Sequence, residues 1–210
     1  MKLLFVILSV YTLLSPSGTL KVEIEDSKAD LKYSVYADGV RVISPSEVNM
    51  TLDGGTVLGG KVRSTSTSLT NRVLHPIAYK KVAVTENYNS LLLTFKDFQM
   101  EWRAFDDGIA YRFIVESKKP FTVKSEKASF NFPRDFDMHV AYVSQHTQNL
   151  ESQYFSSQES MYSSSKVSQW NKDRIAFPPL VVDEGDWKVC ISESDLHHYP
   201  GMYLYNGNGS

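Results

Sequence analysis

Two carboxylates, Glu193 and Asp195, stand just after Trp187-Lys-Val-Cys-Ile191, a stretch that reads as a β-strand, and Tyr199-Pro-Gly201 then turns the chain. In extended backbone, residues two apart share a face, so this pair can offer hard oxygen ligands to a cation if the extension lasts; a merely solvated strand end is the other reading. The five histidines are His75, His139, His146, His197 and His198. Neighbours on a strand point to opposite faces, so His197 and His198 do not converge easily on one ion, and surface or loop roles are expected for them. Cys190 is the single cysteine, which excludes an internal disulfide and a thiolate cluster for structural zinc. Its strand setting lacks the neighbours that activate a thiolate, and it is read as a small buried strand residue.

The chain has no Gly-rich phosphate loop, no His-Glu-x-x-His and no Gly-x-Ser-x-Gly. Self-contained catalysis therefore has no recognisable signature here. The 22 basic and 24 acidic residues give a formal net charge of -2, without long runs of either sign, so no nucleic-acid or acidic-lipid partner is expected. The 210 residues, 42% of them apolar and 12% aromatic, suffice for one large domain or two small ones.

The elements that must position these residues read as strands. Leu20, Val22 and Ile24 alternate with Lys21 and Glu23, and Leu31, Tyr33 and Val35 with Lys32 and Ser34. Each such strand has one buried and one wet face. Asp38-Gly39, Asp53-Gly54 and Asp107-Gly108 are turn signals, because Gly accepts the positive φ of tight hairpins. The strongest hairpin spans residues 91–115, with Met100, Trp102, Ala104, Ile109, Tyr111 and Phe113 as its inward set, which predicts a sheet packed on a sheet. Residues 145–170 turn rich in Ser, Gln, Asn and Tyr and lose the alternation, which predicts a long loop, either a merely solvated connection or one reaching toward a binding site.

At the start, Lys2 precedes an apolar run over residues 3–14, followed by Ser15-Pro-Ser-Gly18. This is the pattern of an export signal, too short to span a bilayer, and it predicts a leader over residues 1–14 and a β-sandwich domain over residues 15–210. A bacterial periplasmic or secreted protein, with no membrane attachment after signal removal, is the expectation. The other reading of the run is a buried first strand.

From about Ser15 to Leu204 the chain resembles the amino-terminal domain of glycoside hydrolase family 97. The resemblance rests on Ser15-Pro-Ser-Gly-Thr-Leu-Lys-Val22, Tyr33-Ser-Val-Tyr-Ala-Asp-Gly39 and Glu101-Trp-Arg-Ala-Phe-Asp-Asp-Gly-Ile-Ala-Tyr-Arg-Phe113. It continues through Phe130-Asn-Phe-Pro133, Glu151-Ser-Gln-Tyr154, Pro178-Pro-Leu-Val-Val182 and Glu193-Ser-Asp-Leu-His-His-Tyr-Pro-Gly-Met-Tyr-Leu204. It implies an all-β chain, a large β-supersandwich of antiparallel sheets. In the family this domain packs against the mouth of a (β/α)8 barrel, which is absent from these residues.

The family comprises calcium-dependent α-glucosidases and α-galactosidases, so the resemblance also implies an α-linked oligosaccharide as substrate of the complete enzyme, with calcium held mainly by glutamates of the barrel. Glu193 matches the one calcium ligand drawn from the amino-terminal domain, whereas Asp195 is assigned a supporting role. Glu151 and Tyr154 are carried over as candidates for the sugar pocket, although Asn149-Leu150 replaces an expected aromatic residue before Glu151. No catalytic residue is assigned, because the two carboxylates that cleave the glycosidic bond belong to the barrel. The fragment alone is expected to be inactive. The rival reading is a self-sufficient carbohydrate-binding sandwich using Tyr154, Tyr162 and Trp170 as a stacking platform; a structural or adhesive domain is a third.

Overall fold

The computed structural model describes residues 9–26, 31–144, 149–156, 160–197 and 199–207. It consists of two compact units, Met1–Asn131 and Phe132–Ser210. Both are built from antiparallel strands. No helix among the described residues is long and apolar enough to cross a membrane.

The first unit contains β1 (Ser9–Leu14), β2 (Leu20–Asp26), β3 (Leu31–Ala37), β4 (Val40–Leu52), β5 (Val57–Leu58), β6 (Ser64–Leu74), β7 (Val84–Thr94), β8 (Gln99–Phe105), β9 (Gly108–Ile114) and β10 (Val123–Ala128). One sheet runs β1-β2-β3-β4-β10 with β5 added to β4, and a second runs β6-β7-β8-β9. The alternation read from the sequence is the reason they stack. Val22, Ile24, Leu31 and Tyr33 turn inward from the first sheet, and Leu93, Met100, Trp102 and Ala104 from the second. The Tyr33 and Trp102 rings meet at 5.3 Å between centroids. Burial pushes the Tyr33 phenol up, and its O–H donates to Ser129 O at 2.8 Å, satisfying the one polar atom that an inward tyrosine brings.

The expected hairpin partners are in place, with Met100 opposite Phe113 and Trp102 opposite Tyr111. Met100, Trp102 and Ala104 are buried, but Ile109, Tyr111 and Phe113 are only half-buried because β9 is the edge of its sheet. On the outer face Glu101 bridges Arg103 and Arg112 at 3.0 and 2.7 Å. Burial pushes its carboxyl up, yet the two guanidiniums outweigh that and hold it below the usual carboxylate range.

Asp38 and Gly39, with φ of 46° and 79°, close a two-residue β3–β4 hairpin, a conformation open to Gly and tolerated by Asp. In the third expected turn Gly108 instead opens β9 opposite Phe105, and Asp106-Asp107 form the bend. The leader expected over residues 1–14 falls partly outside the described residues. Its last six residues form β1, paired with β2 from Ser9 opposite Asp26 to Leu14 opposite Lys21. The buried Asp26 carboxylate accepts from Ser9 N at 3.3 Å, Tyr11 Oη at 3.2 Å and Val62 N at 2.9 Å.

The second unit is a four-stranded sheet in the order β12-β11-β13-β14, formed by β11 (Asp137–Tyr142), β12 (Ser163–Lys166), β13 (Ala176–Asp183) and β14 (Lys188–Ile191). Met138, Val140, Leu180, Val182 and Ile191 are buried along it. The stretch expected to be one long loop is more ordered than its composition suggests. Residues 150–155 and 167–169 form 3-10 turns, and β12 adds to the edge of β11, with Ser163 opposite Val140. A four-residue Ser/Lys strand carries no apolar alternation to read; its pairing comes from backbone hydrogen bonds and two polar cross-strand contacts, Lys166 to Asp137 at 3.1 Å and Ser164 to His139 at 2.8 Å.

Cys190 does not occupy the buried position expected for it. β14 is an edge strand, its outward residues meet no covering layer, and Cys190 is exposed. Trp170 departs from expectation in the other direction. It is buried, its Nε1 donates to Arg174 O at 3.0 Å, and its ring stands edge-on to Tyr142 at 5.3 Å, so it is a core residue and no stacking platform.

Candidate functional site

Glu193 lies two residues beyond β14, half-buried. Both of its carboxylate oxygens accept from the Met202 N–H at 2.8 Å. That contact joins the strand end to the returning segment, residues 201–204, which is pinned two residues later. Ala176 N donates to Leu204 O at 2.9 Å and Leu204 N to Ala176 O at 2.8 Å. A side-chain carbon at Gly201 would sit 3.4 Å from Glu193 Oε1, so the glycine leaves one flank of the carboxylate open.

The same segment positions Tyr154. Tyr203, next to Met202, packs on Phe177 at 5.2 Å and meets the Tyr154 ring edge-on at 4.9 Å. Its hydroxyl donates to Tyr154 O at 3.3 Å. Residues 202 and 203 thus hold Glu193 by one backbone amide and Tyr154 by one aromatic ring, so two candidate residues from distant parts of the chain depend on one short segment.

Glu151 and Tyr154 belong to the 3-10 turn Leu150–Phe155, opened by Asn149, whose Oδ1 accepts from Glu151 N at 2.9 Å. A 3-10 turn has three residues per turn, so residues i and i+3 eclipse. Leu150 and Gln153 accordingly share the inner face, and Glu151 and Tyr154 share the outer one. Leu150 packs on Val143, Ile175 and Phe177. Gln153 is fully buried; its Nε2 donates to Asp173 O at 2.6 Å, and its Oε1 accepts from Ile175 N at 3.0 Å. Glu151 is exposed, and Tyr154 keeps 51% of its surface in solvent. The sequence reading passed over Gln153. Its only available signal was the spacing from Leu150, legible once a 3-10 turn is assumed.

Asp195 is not brought beside Glu193 by strand geometry. Its φ of 59° lies in the left-handed region, so the extended alternation ends before it, and its side chain is exposed. Among the described residues no group of three or more His, Cys, Asp or Glu side chains is placed to hold a metal ion. Calcium takes six to eight oxygens. The donor set here fits one contributed carboxylate and not a self-contained site. His139 on β11 shares a 2.8 Å hydrogen bond with Ser164 Oγ, and His75 lies in the β6–β7 connection. His146 and His198 lie outside the described residues.

One further carboxyl stands apart. Glu184, in the β13–β14 turn, has Oε1 buried with no hydrogen-bond partner among the described residues. Burial raises its pKa to about 7 despite the opposing charge of Arg134. It lies at the other end of β14 from Glu193 and forms no pair with it.

Residues 13–210 match the family model described as Glycosyl-hydrolase 97 N-terminal, and the chain belongs to that family. Over 205 residues it is 41% identical to a retaining alpha-galactosidase of Bacteroides thetaiotaomicron, covering 95% of this chain and 31% of that protein.

Among solved structures it is similar to a glycoside hydrolase family 97 enzyme of Pseudoalteromonas sp. strain K8. That enzyme was determined with acarbose and, as a variant, with panose; both comparisons give a TM-score of 0.76 at 18% identity, covering 93% of this chain and 30% of that one. A beta-arabinopyranosidase gives 0.74 at 19% identity, covering 88% and 31%. These likenesses establish the fold. The chain spans about a third of the length of each of these relatives.

Proposed function

We propose that this chain is the non-catalytic amino-terminal domain of a longer, exported glycoside hydrolase acting on α-galactosides or α-glucosides. In this reading it completes the sugar pocket of a (β/α)8 barrel and donates Glu193 to a calcium ion shared with that barrel. The observation that carries it is the pairing of Glu193 and Tyr154 on residues 202–203. A half-buried carboxylate with one flank open offers a cation ligand, and an exposed tyrosine ring held by the next residue of the same segment offers a face for a sugar. Glu151, on the same outer face as Tyr154, lines the pocket.

The division of labour follows from the chemistry. Glycosidic cleavage needs an acid and a second carboxylate on either side of the bond, and this domain supplies neither. Calcium, when bound, screens negative charge at the junction. Glu193 holds its place there through the Met202 amide, and Tyr154 through the Tyr203 ring.

Reading the gene past Ser210 tests the proposal: a barrel-coding continuation supports it, and a stop codon there overturns it. In the complete polypeptide Glu193→Gln should weaken calcium affinity about tenfold, one charged ligand of several being lost, and excess calcium should restore activity. Calcium dependence identical to the unsubstituted enzyme would remove Glu193 from the site. The residues 1–210 alone should release no aglycone from aryl α-galactosides or α-glucosides.

A further inference from the structure

The longest pairing in the first unit joins β6 and β7 over eleven residues each, from Ser64 opposite Thr94 to Leu74 opposite Val84. β8 accompanies β7 only from Thr94 to Asn89. Beyond that point five residues of each strand, 70–74 and 84–88, continue as a two-stranded ribbon closed by residues 75–83. At about 3.4 Å per residue, the ribbon carries its tip roughly 17 Å past the end of its sheet partner. Its base is anchored: Tyr88 is buried against Phe105 at 4.9 Å, and the Arg103 guanidinium lies over the Tyr88 ring at 4.7 Å.

Past Tyr88 the character changes. Val73, Leu74, Ile77, Tyr79 and Val82 are all exposed, Ile77 completely so at 105% and Val82 at 86%. An isolated two-stranded ribbon is marginally stable in water, and five large apolar side chains clustered on one are more than a solvated hairpin requires. The tip is also one-signed. Between Val73 and Thr85 the sequence has His75, Lys80 and Lys81 and no acidic residue.

We infer that this ribbon is a docking arm whose occupant is the remainder of the same polypeptide, an apolar seat rimmed by carboxylates on the part of the enzyme that follows residue 210. The inference rests on the function proposed above and names the surface that reading needs. Two observations select the occupant. The relatives are about three times the length of this chain, so most of such a polypeptide lies outside it. A second copy is disfavoured by charge, since a symmetric pairing of tips would set Lys80 and Lys81 against themselves.

Lys80 and Lys81 make the test direct, because trypsin cuts after both. Tip cleavage should be at least tenfold slower in the complete polypeptide than in residues 1–210, and acetylation of the two lysines should fall in parallel. The double substitution Ile77→Ser and Val82→Ser should restore cleavage in the complete polypeptide while leaving the melting of residues 1–210 unchanged. Equal cleavage and acetylation in both forms overturns the inference; if that polypeptide still hydrolyses an aryl α-glycoside, the proposed function stands without it. Protection in residues 1–210 that grows with concentration, alongside a sedimenting dimer, assigns the arm to a second copy and overturns it as well. A gene that ends at Ser210 overturns the arm and the function together.

Discussion

Gln153→Leu isolates what fastens the outer-face residues Glu151 and Tyr154. Leucine keeps the volume of the fully buried side chain, so packing beside Leu150 is largely preserved, but it removes the acceptor of Ile175 N–H and the donor to Asp173 O. Ile175 is buried, and its amide loses its partner without access to water, whereas the carbonyl of exposed Asp173 can rehydrate. An unsatisfied buried donor costs about 1–3 kcal/mol and an ordinary lost hydrogen bond about 1, for a total near 3 kcal/mol. For a chain of this size that corresponds to a melting temperature about 6–12 °C lower.

Differential scanning calorimetry measures the fall, and hydrogen exchange at Ile175 locates it. Gln153→Glu supplies the control. Its carboxylate still accepts from Ile175 but cannot donate to Asp173 O until protonated, so that variant should be unstable at pH 8 and recover toward pH 5. A melting temperature within about 2 °C of the parent for Gln153→Leu, with unchanged exchange at Ile175, would refute the reasoning.

Two other outcomes follow from burial. Glu184, with its pKa raised from 4.5 to about 7, keeps its proton in the folded chain while the unfolded chain has released it. Stability should therefore be unaffected below about pH 4.5 and fall between there and pH 7. Solvent screening limits the loss to about 1 kcal/mol, and Glu184→Gln should flatten that slope in urea titrations across the range. Cys190, exposed on the edge strand β14, should titrate as one thiol with Ellman's reagent in the native chain; a thiol reactive only after denaturation would contradict its placement.

The amino-acid sequence by itself determined the all-β class and most of the strands, because a period of two written in large apolar residues has one economical reading. Met100, Trp102 and Ala104 were identified as inward-facing from alternation alone, and all three are buried. The family was legible too, through ordered motifs running from Ser15 to Leu204.

Tertiary structure decided whatever depended on what lies across a strand. Cys190 reads as buried, yet on the edge strand β14 it shares the exposed face of Lys188, opposite Ile191, while Trp170 sits in a polar stretch and is buried with its ring edge-on to Tyr142 from a distant strand and its Nε1 donating to the nearby Arg174 O. The grouping of Glu193 with Tyr154 was equally beyond local pattern. It exists because Ala176 and Leu204 exchange backbone hydrogen bonds and so carry Met202 and Tyr203 to both residues. Alternation records only which way a side chain faces along its own strand; the neighbour it meets there is set by pairings between residues far apart in sequence.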